Sequence, residues 1–128
     1  MNVVDSSGWL EYLAGTEDGA FFTPAIQDTE KLLVPMICLY EVFKRILQQR
    51  GQEDALQAVG VLSVGRILEL TGDLALRAAH YSMAYKLPMV DSMILATARE
   101  HDATLWTQEE HFEGLEGVKY IAKGAGER

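Results

Sequence analysis

The apolar positions of this chain fall into short blocks that switch between two periods. Asn2-Val-Val-Asp5 is a brief apolar run closed by an acid. After Ser6-Ser-Gly8, the residues Trp9, Leu10, Tyr12 and Leu13 recur at near-helical spacing. This predicts a strand, a tight turn and a helix, with Asp5 at the strand's C-terminal end. Gly15 to Gly19 breaks the pattern, and residues 20–29 predict a second short helix interrupted near Pro24. Leu32-Leu-Val-Pro35 predicts the second strand. A helix then spans Met36 to Arg50, with Leu39, Val42, Phe43, Ile46 and Leu47 on one face, and Gly51 ends it. Ala55, Leu56, Val59 and Leu62 mark an amphipathic helix over 52–64, Arg66 to Leu70 a third strand, and Thr71-Gly-Asp73 the start of a helix over Leu74 to Lys86. Ala103 to Thr107 predicts the fourth strand, Glu109 to Leu115 a turn or short helix, and Val118 to Ala122 the fifth strand. Alternating strands and helices imply a parallel sheet covered on both faces. In such sheets ligands bind beyond the carboxyl ends of the strands, so chemistry is expected just after strands.

One helix stands apart. In Leu87-Pro-Met-Val-Asp-Ser-Met-Ile-Leu-Ala-Thr-Ala98, only Asp91, Ser92 and Thr97 are polar between Met89 and Ala98. A helix apolar on nearly all sides belongs in a core. A carboxylate in its first turn is costly unless hydrogen-bonded, paired or on a metal. The helix dipole supplies roughly 0.3–1 kcal/mol of compensation, so Asp91 calls for a further partner.

Composition narrows the setting. The 128 residues suffice for one domain, expected over 1–123 with a flexible tail at 124–128, and nearly half are hydrophobic. Met1-Asn-Val-Val-Asp5 lacks a charged region before an apolar run, so no secretory signal is expected. No apolar stretch reaches the length of a membrane span. The single cysteine, Cys38, cannot form an internal disulfide, and a cytoplasmic location is expected. The net charge of −8 excludes a basic nucleic-acid coat but not a nucleic-acid enzyme, because bound cations would neutralise clustered carboxylates.

Four acids fall near predicted strand ends or helix starts, at one edge of such a sheet. They are Asp5, Glu41 in the second turn after the second strand, Asp91, and Glu109 two residues past Thr107. Clustered carboxylates repel unless protonated or neutralised by a cation, and hard oxygen ligands suit Mg²⁺ or Mn²⁺. Each acid also has a plainer role: Asp5 as a helix cap, Glu41 on a solvated face, Glu109 in a wet acidic loop. No GxxxxGK[ST], GxGxxG or GxSxG is present. His80 and His101 fit structural roles, whereas His111, beside Glu109, is placed to touch a phosphate or metal. Trp9, Tyr12, Tyr40 and Phe43 are expected in the core.

Taken together, Val3-Val-Asp5-Ser-Ser, Leu39-Tyr-Glu41-Val-Phe43, Leu87-Pro-Met-Val-Asp91 through Ala98, and Thr104-Leu-Trp-Thr107-Gln-Glu109-Glu-His-Phe112 with Gly114-Leu-Glu-Gly117-Val resemble the four ordered motifs of PIN-domain nucleases. The single-domain size is most similar to the VapC-type toxins of toxin–antitoxin pairs. The resemblance implies a three-layer α/β/α fold around a five-stranded, mostly parallel sheet. It implies an endoribonuclease dependent on Mg²⁺ or Mn²⁺, a homodimer, RNA as substrate and a cognate antitoxin as partner. By matched position, Asp5, Glu41, Asp91 and Glu109 would be the catalytic acids, with Asp5 and Asp91 anchoring the metal. Thr107, Ser6 and His111 would lie at the substrate. The fourth motif departs from the family, which usually has Asp at the position of Glu109 and often a further Asp at that of His111. This departure points to one cation rather than two. It also supports a rival reading, a catalytically weak PIN-like interaction module that captures a basic segment of a partner. A phosphatase or phosphoacceptor domain fits less well, because position 7 is Ser where a haloacid-dehalogenase-type phosphatase would carry a second Asp.

Overall fold

A computed structural model describes residues 1–125; the last three residues of the expected tail lie outside the described residues. Five short strands alternate with helices: β1 Asn2–Val4, β2 Leu32–Pro35, β3 Arg66–Leu68, β4 Thr104–Thr107 and β5 Val118–Tyr120. The helices are α1 Ser6–Ala14, α2 Thr23–Gln27, α3 Met36–Arg50, α4 Gln52–Leu62, α5 Gly72–Tyr85 and α6 Met89–Glu100. The strand order is β3-β2-β1-β4-β5, and all four pairings are parallel, so the sheet is fully rather than mostly parallel.

Both faces of the sheet are covered. Consecutive strand residues point to opposite faces, yet Val3 and Val4, Leu33 and Val34, and Leu105 and Trp106 are all buried. That leaves room for short apolar strands without polar alternation. Helix α6 packs on α5, β2 and β4 and buries Ser92 and the run Ile94 to Ala98. Its first turn is different: Met89 is 66% exposed and Asp91 half-buried, so the helix runs from the core out to the sheet's edge. Among the described residues no helix is long and apolar enough to cross a membrane.

Local chemistry accounts for the boundaries. Asp5 caps α1 by accepting from the Gly8 amide, and Gly15 closes that helix in the left-handed region. Thr71 caps α5 in the same way through the Leu74 amide. Pro24 does not interrupt a helix; a 3₁₀ turn over Asp18–Phe22 leads into α2, and Pro24 lies in its first turn, where its missing N–H costs nothing. Strands β3 and β5 are shorter than the apolar runs suggest, ending at Leu68 and Tyr120. Trp9 is fully buried and Tyr12 and Phe43 partly so, but Tyr40 is 58% exposed rather than core.

Candidate active site

The chain fills the sheet from β1 outward through β2 to β3, then returns to the other side of β1 with β4 and β5. The switch point is therefore the β1/β4 boundary, and the residues that follow these two strands lie at one edge of the sheet. They are Asp5 after β1, and Thr107, Gln108 and Glu109 at the end of β4. Helices α3 and α6 start from the same edge and bring Glu41 and Asp91.

Asp5 is 1% exposed and accepts three hydrogen bonds. Its Oδ1 takes the Gly8 amide at 2.8 Å and the Ser7 hydroxyl at 3.2 Å, and its Oδ2 takes the Thr107 hydroxyl at 2.5 Å. Burial nonetheless pushes its carboxyl up to about 7; the three hydrogen bonds pull against this and the charge of Glu109 adds to it. Capping a helix and joining an acid cluster are thus both true of Asp5. Thr107 is fully buried, with its hydroxyl committed to Asp5 and accepting from the Glu109 amide at 2.9 Å. Its hydroxyl positions both acids.

Glu41 is half-buried, and its Oε1 accepts from the Ser6 hydroxyl at 2.5 Å, so Ser6 orients an acid as well. Asp91 holds His111 through Oδ2 and Nε2. Burial raises the Asp91 carboxyl above its usual range, opposed by His111 and Lys123 and reinforced by Glu109. Glu109 pairs with Lys123 at 3.4 Å. Cys38 is buried with its thiol donating to the Val4 carbonyl at 3.8 Å; burial pushes that thiol far up, with Asp5, Glu41 and Asp91 adding to the rise.

Two residues at this edge escape a reading by motif. Lys123 follows β5 by three positions, and the strand-end rule alone would have selected it. Gln108 lies between Thr107 and Glu109, is 5% exposed as a residue, and has its side-chain amide oxygen without a partner. Such an orphan costs about 1–3 kcal/mol, and only the three-dimensional structure reveals it.

Among the described residues no three His, Cys, Asp or Glu side chains form a ready-made metal cage. The donor set still fits a hard dication. Asp91, Glu41 and Glu109 each keep one carboxylate oxygen without a protein partner among the described residues. Asp5 uses three of its roughly four acceptor positions. Mutual repulsion through Glu109 is the strain that a cation relieves.

The fold is a five-stranded parallel α/β sheet with acids at the edge beyond its central strands. The chain belongs to the PIN domain family, whose profile matches residues 3–118. Solved structures share its fold. One is a toxin–antitoxin complex from Klebsiella pneumoniae, 24% identical, TM-score 0.74, covering 93% of this chain and 96% of that one. Another is VapC20 from Mycobacterium tuberculosis, described as a Sarcin-Ricin loop cleaving toxin, 19% identical, TM-score 0.75, covering 93% and 99%. A third is DNA-bound VapBC from Salmonella typhimurium, 16% identical, TM-score 0.74, covering 95% and 98%. No curated protein matches the chain.

Proposed function

We propose that the chain is a metal-dependent endoribonuclease and the toxin of a toxin–antitoxin pair. The observation that carries this reading is the convergence of Asp5, Glu41, Asp91 and Glu109 at the switch point, with Asp5 buried and raised to about 7. Membership of the PIN domain family and the fold shared with toxin–antitoxin proteins support it.

Asp5 and Asp91 would hold the cation, with Glu41 completing the site and Glu109 at its margin. When bound, Mg²⁺ or Mn²⁺ supplies charge neutralisation at a scissile phosphate and a more acidic water. The chain's own residues do the rest. Thr107, Gly8 and Ser7 fix both oxygens of Asp5, so the acid is aimed before any ligand arrives. Ser6 fixes Glu41, leaving its second oxygen to orient an attacking water. His111 and Lys123 stand on Asp91 and Glu109 and are placed to release those acids as a phosphate draws near.

The test is cleavage of a mixed structured and single-stranded RNA pool by purified protein in Mg²⁺, Mn²⁺ or EDTA, with Asp91→Asn beside it. Metal-dependent cuts absent from the variant are the expected result. A fully active Asp91→Asn protein sinks the assignment. The antitoxin partner and a homodimer belong to the same proposal, checked by co-purification and by mass in solution.

One observation favours a second reading. The acids already hold two basic side chains of their own chain, and a partner's basic segment would find the same reception. Folded protein that binds such a segment, with no metal affinity by calorimetry and no RNA cleavage, would make it an interaction module.

A further inference from the structure

Gln108 is explained neither by the core nor by the acids. It is buried, yet its amide oxygen has no partner, which is uncommon for a polar group removed from water. The residue also borders two hollows, and it is the residue common to both. One is a cleft of about 750 Å³ edged by Ser7, Arg45 and Arg50. The other, of about 330 Å³, is edged by Glu109, His111, Tyr120 and Lys123.

We infer that Gln108 is a specificity-determining residue whose side-chain amide reads the edge of one unpaired base seated in the smaller hollow. This rests on the ribonuclease reading above. A carboxamide offers a donor and an acceptor side by side, and adenine presents the matching pair. Tyr120 and His111 supply rings of the kind on which unpaired bases stack. Lys123 in one hollow, beside Glu109 and Glu110, and Arg45 and Arg50 in the other, beside Glu11 and Asp54, are the cations that flanking phosphates would meet around Gln108. The backbone here is fixed, because the Thr107 hydroxyl accepts from the Glu109 amide at 2.9 Å and the Thr107 carbonyl accepts from the Ile121 amide at 3.0 Å. The terminal amide torsion, broad and two-fold, is the freedom left for presenting nitrogen or oxygen to a base.

Gln108→Met keeps the side chain's length and removes both hydrogen-bonding groups. Wild-type and variant proteins are compared on a randomised single-stranded RNA pool with Mg²⁺, cut sites being read by sequencing. The wild-type cuts are expected to favour adenine at one position near the scissile bond. In Gln108→Met that bias falls about tenfold, and the loss for the preferred sequence appears chiefly in KM. A second arm measures binding of adenine-containing and substituted short RNAs to Asp91→Asn and to Asp91→Asn/Gln108→Met, so the contact is read without turnover. Loss of base preference there supports the inference even if the wild type cuts nothing, an outcome that would remove the nuclease reading alone. Unchanged base preference in the Gln108→Met proteins overturns the inference, and so does an absence of RNA binding. A 2′-deoxy nucleotide at the favoured position is expected to leave the Gln108 effect in place. If the effect vanishes, the amide holds a ribose hydroxyl and the base reading is wrong. Gln108→Asn, which withdraws the amide by one methylene, is expected to lose part of the bias and provides the comparison if Gln108→Met does not fold.

Discussion

Replacing Asp5 by Asn should make the metal-free protein more stable at neutral pH and less stable at acid pH. The carboxyl moves from 3.8 in the unfolded chain to about 7 in the folded one. The folded state thus binds the proton more tightly. The contribution to stability is fully present below the unfolded value, declines as pH rises, and is lost once pH passes about 7. The full span corresponds to about 4 kcal/mol. Asn cannot ionise, so it escapes that decline, but it disturbs the hydrogen bonds. Its Oδ1 still accepts from Gly8. Its NH₂ replaces the oxygen that took the Thr107 hydroxyl, and leaves that buried hydroxyl without an acceptor. This costs about 1–3 kcal/mol at every pH. The two curves therefore cross: the variant is the weaker protein near pH 4 and the stronger by roughly 1–3 kcal/mol near pH 8. Urea denaturation in EDTA at intervals from pH 4 to 8 measures the difference directly, and the other acids largely cancel in it. Added Mg²⁺ should stabilise the wild type and do much less for Asp5→Asn. A difference between the two proteins that stays constant over this pH range would refute the reasoning, since it would mean that Asp5 titrates alike in the folded and unfolded chains.

Three further outcomes are expected. Thr107→Val removes the hydroxyl that Asp5 and the Glu109 amide share; it should cost about 1–3 kcal/mol in denaturant titrations and cut activity strongly, whereas Thr107→Ser should retain most of both. Gly8→Ala places a methyl 2.6 Å from the buried Phe22 ring; overpacking at this point should lower stability by about 1–3 kcal/mol by thermal unfolding, despite alanine's better helix propensity. Lys123→Ala frees Glu109 of its ion pair; calorimetry should show tighter Mg²⁺ or Mn²⁺ binding, while RNA affinity falls.

How far the sequence could be read depended on the range of each interaction. Strand β2, helix α3 and its stop at Gly51 were legible because period, helix length and a terminal glycine are local signals. Asp5 and Asp91 stood out for a similar reason: each is an acid at the end of an apolar block, where desolvation has to be answered. What answers it was not legible. The Thr107 hydroxyl reaches Asp5 across 102 positions and Ser6 reaches Glu41 across 35, and contacts of that range leave no local trace in the sequence. Tyr40 looked like core because its apolar neighbours are, but it falls on the outer side of α3. Pro24 looked like an interruption because proline at mid-helix is one, and only the preceding 3₁₀ turn makes it a beginning.

The departure at the fourth motif acquires a physical meaning from these contacts. Glu109 adds to the repulsion on Asp5 and Asp91, and the chain sets two basic side chains from its C-terminal third against the acids, His111 on Asp91 and Lys123 on Glu109. An acid at position 111 would have added to the repulsion that Glu109 already exerts on Asp5 and Asp91. His111 instead gives Asp91 a partner, and on the proposed function a cation would compete with it for that carboxylate. Asp5 and Glu41 are held by hydroxyls and an amide, whereas Asp91 and Glu109 are held by the His111 ring and the Lys123 ammonium. Asp5 and Glu41 are thus fixed by groups from α1 and β4, while Glu109 and the two basic side chains line the hollow beside Gln108.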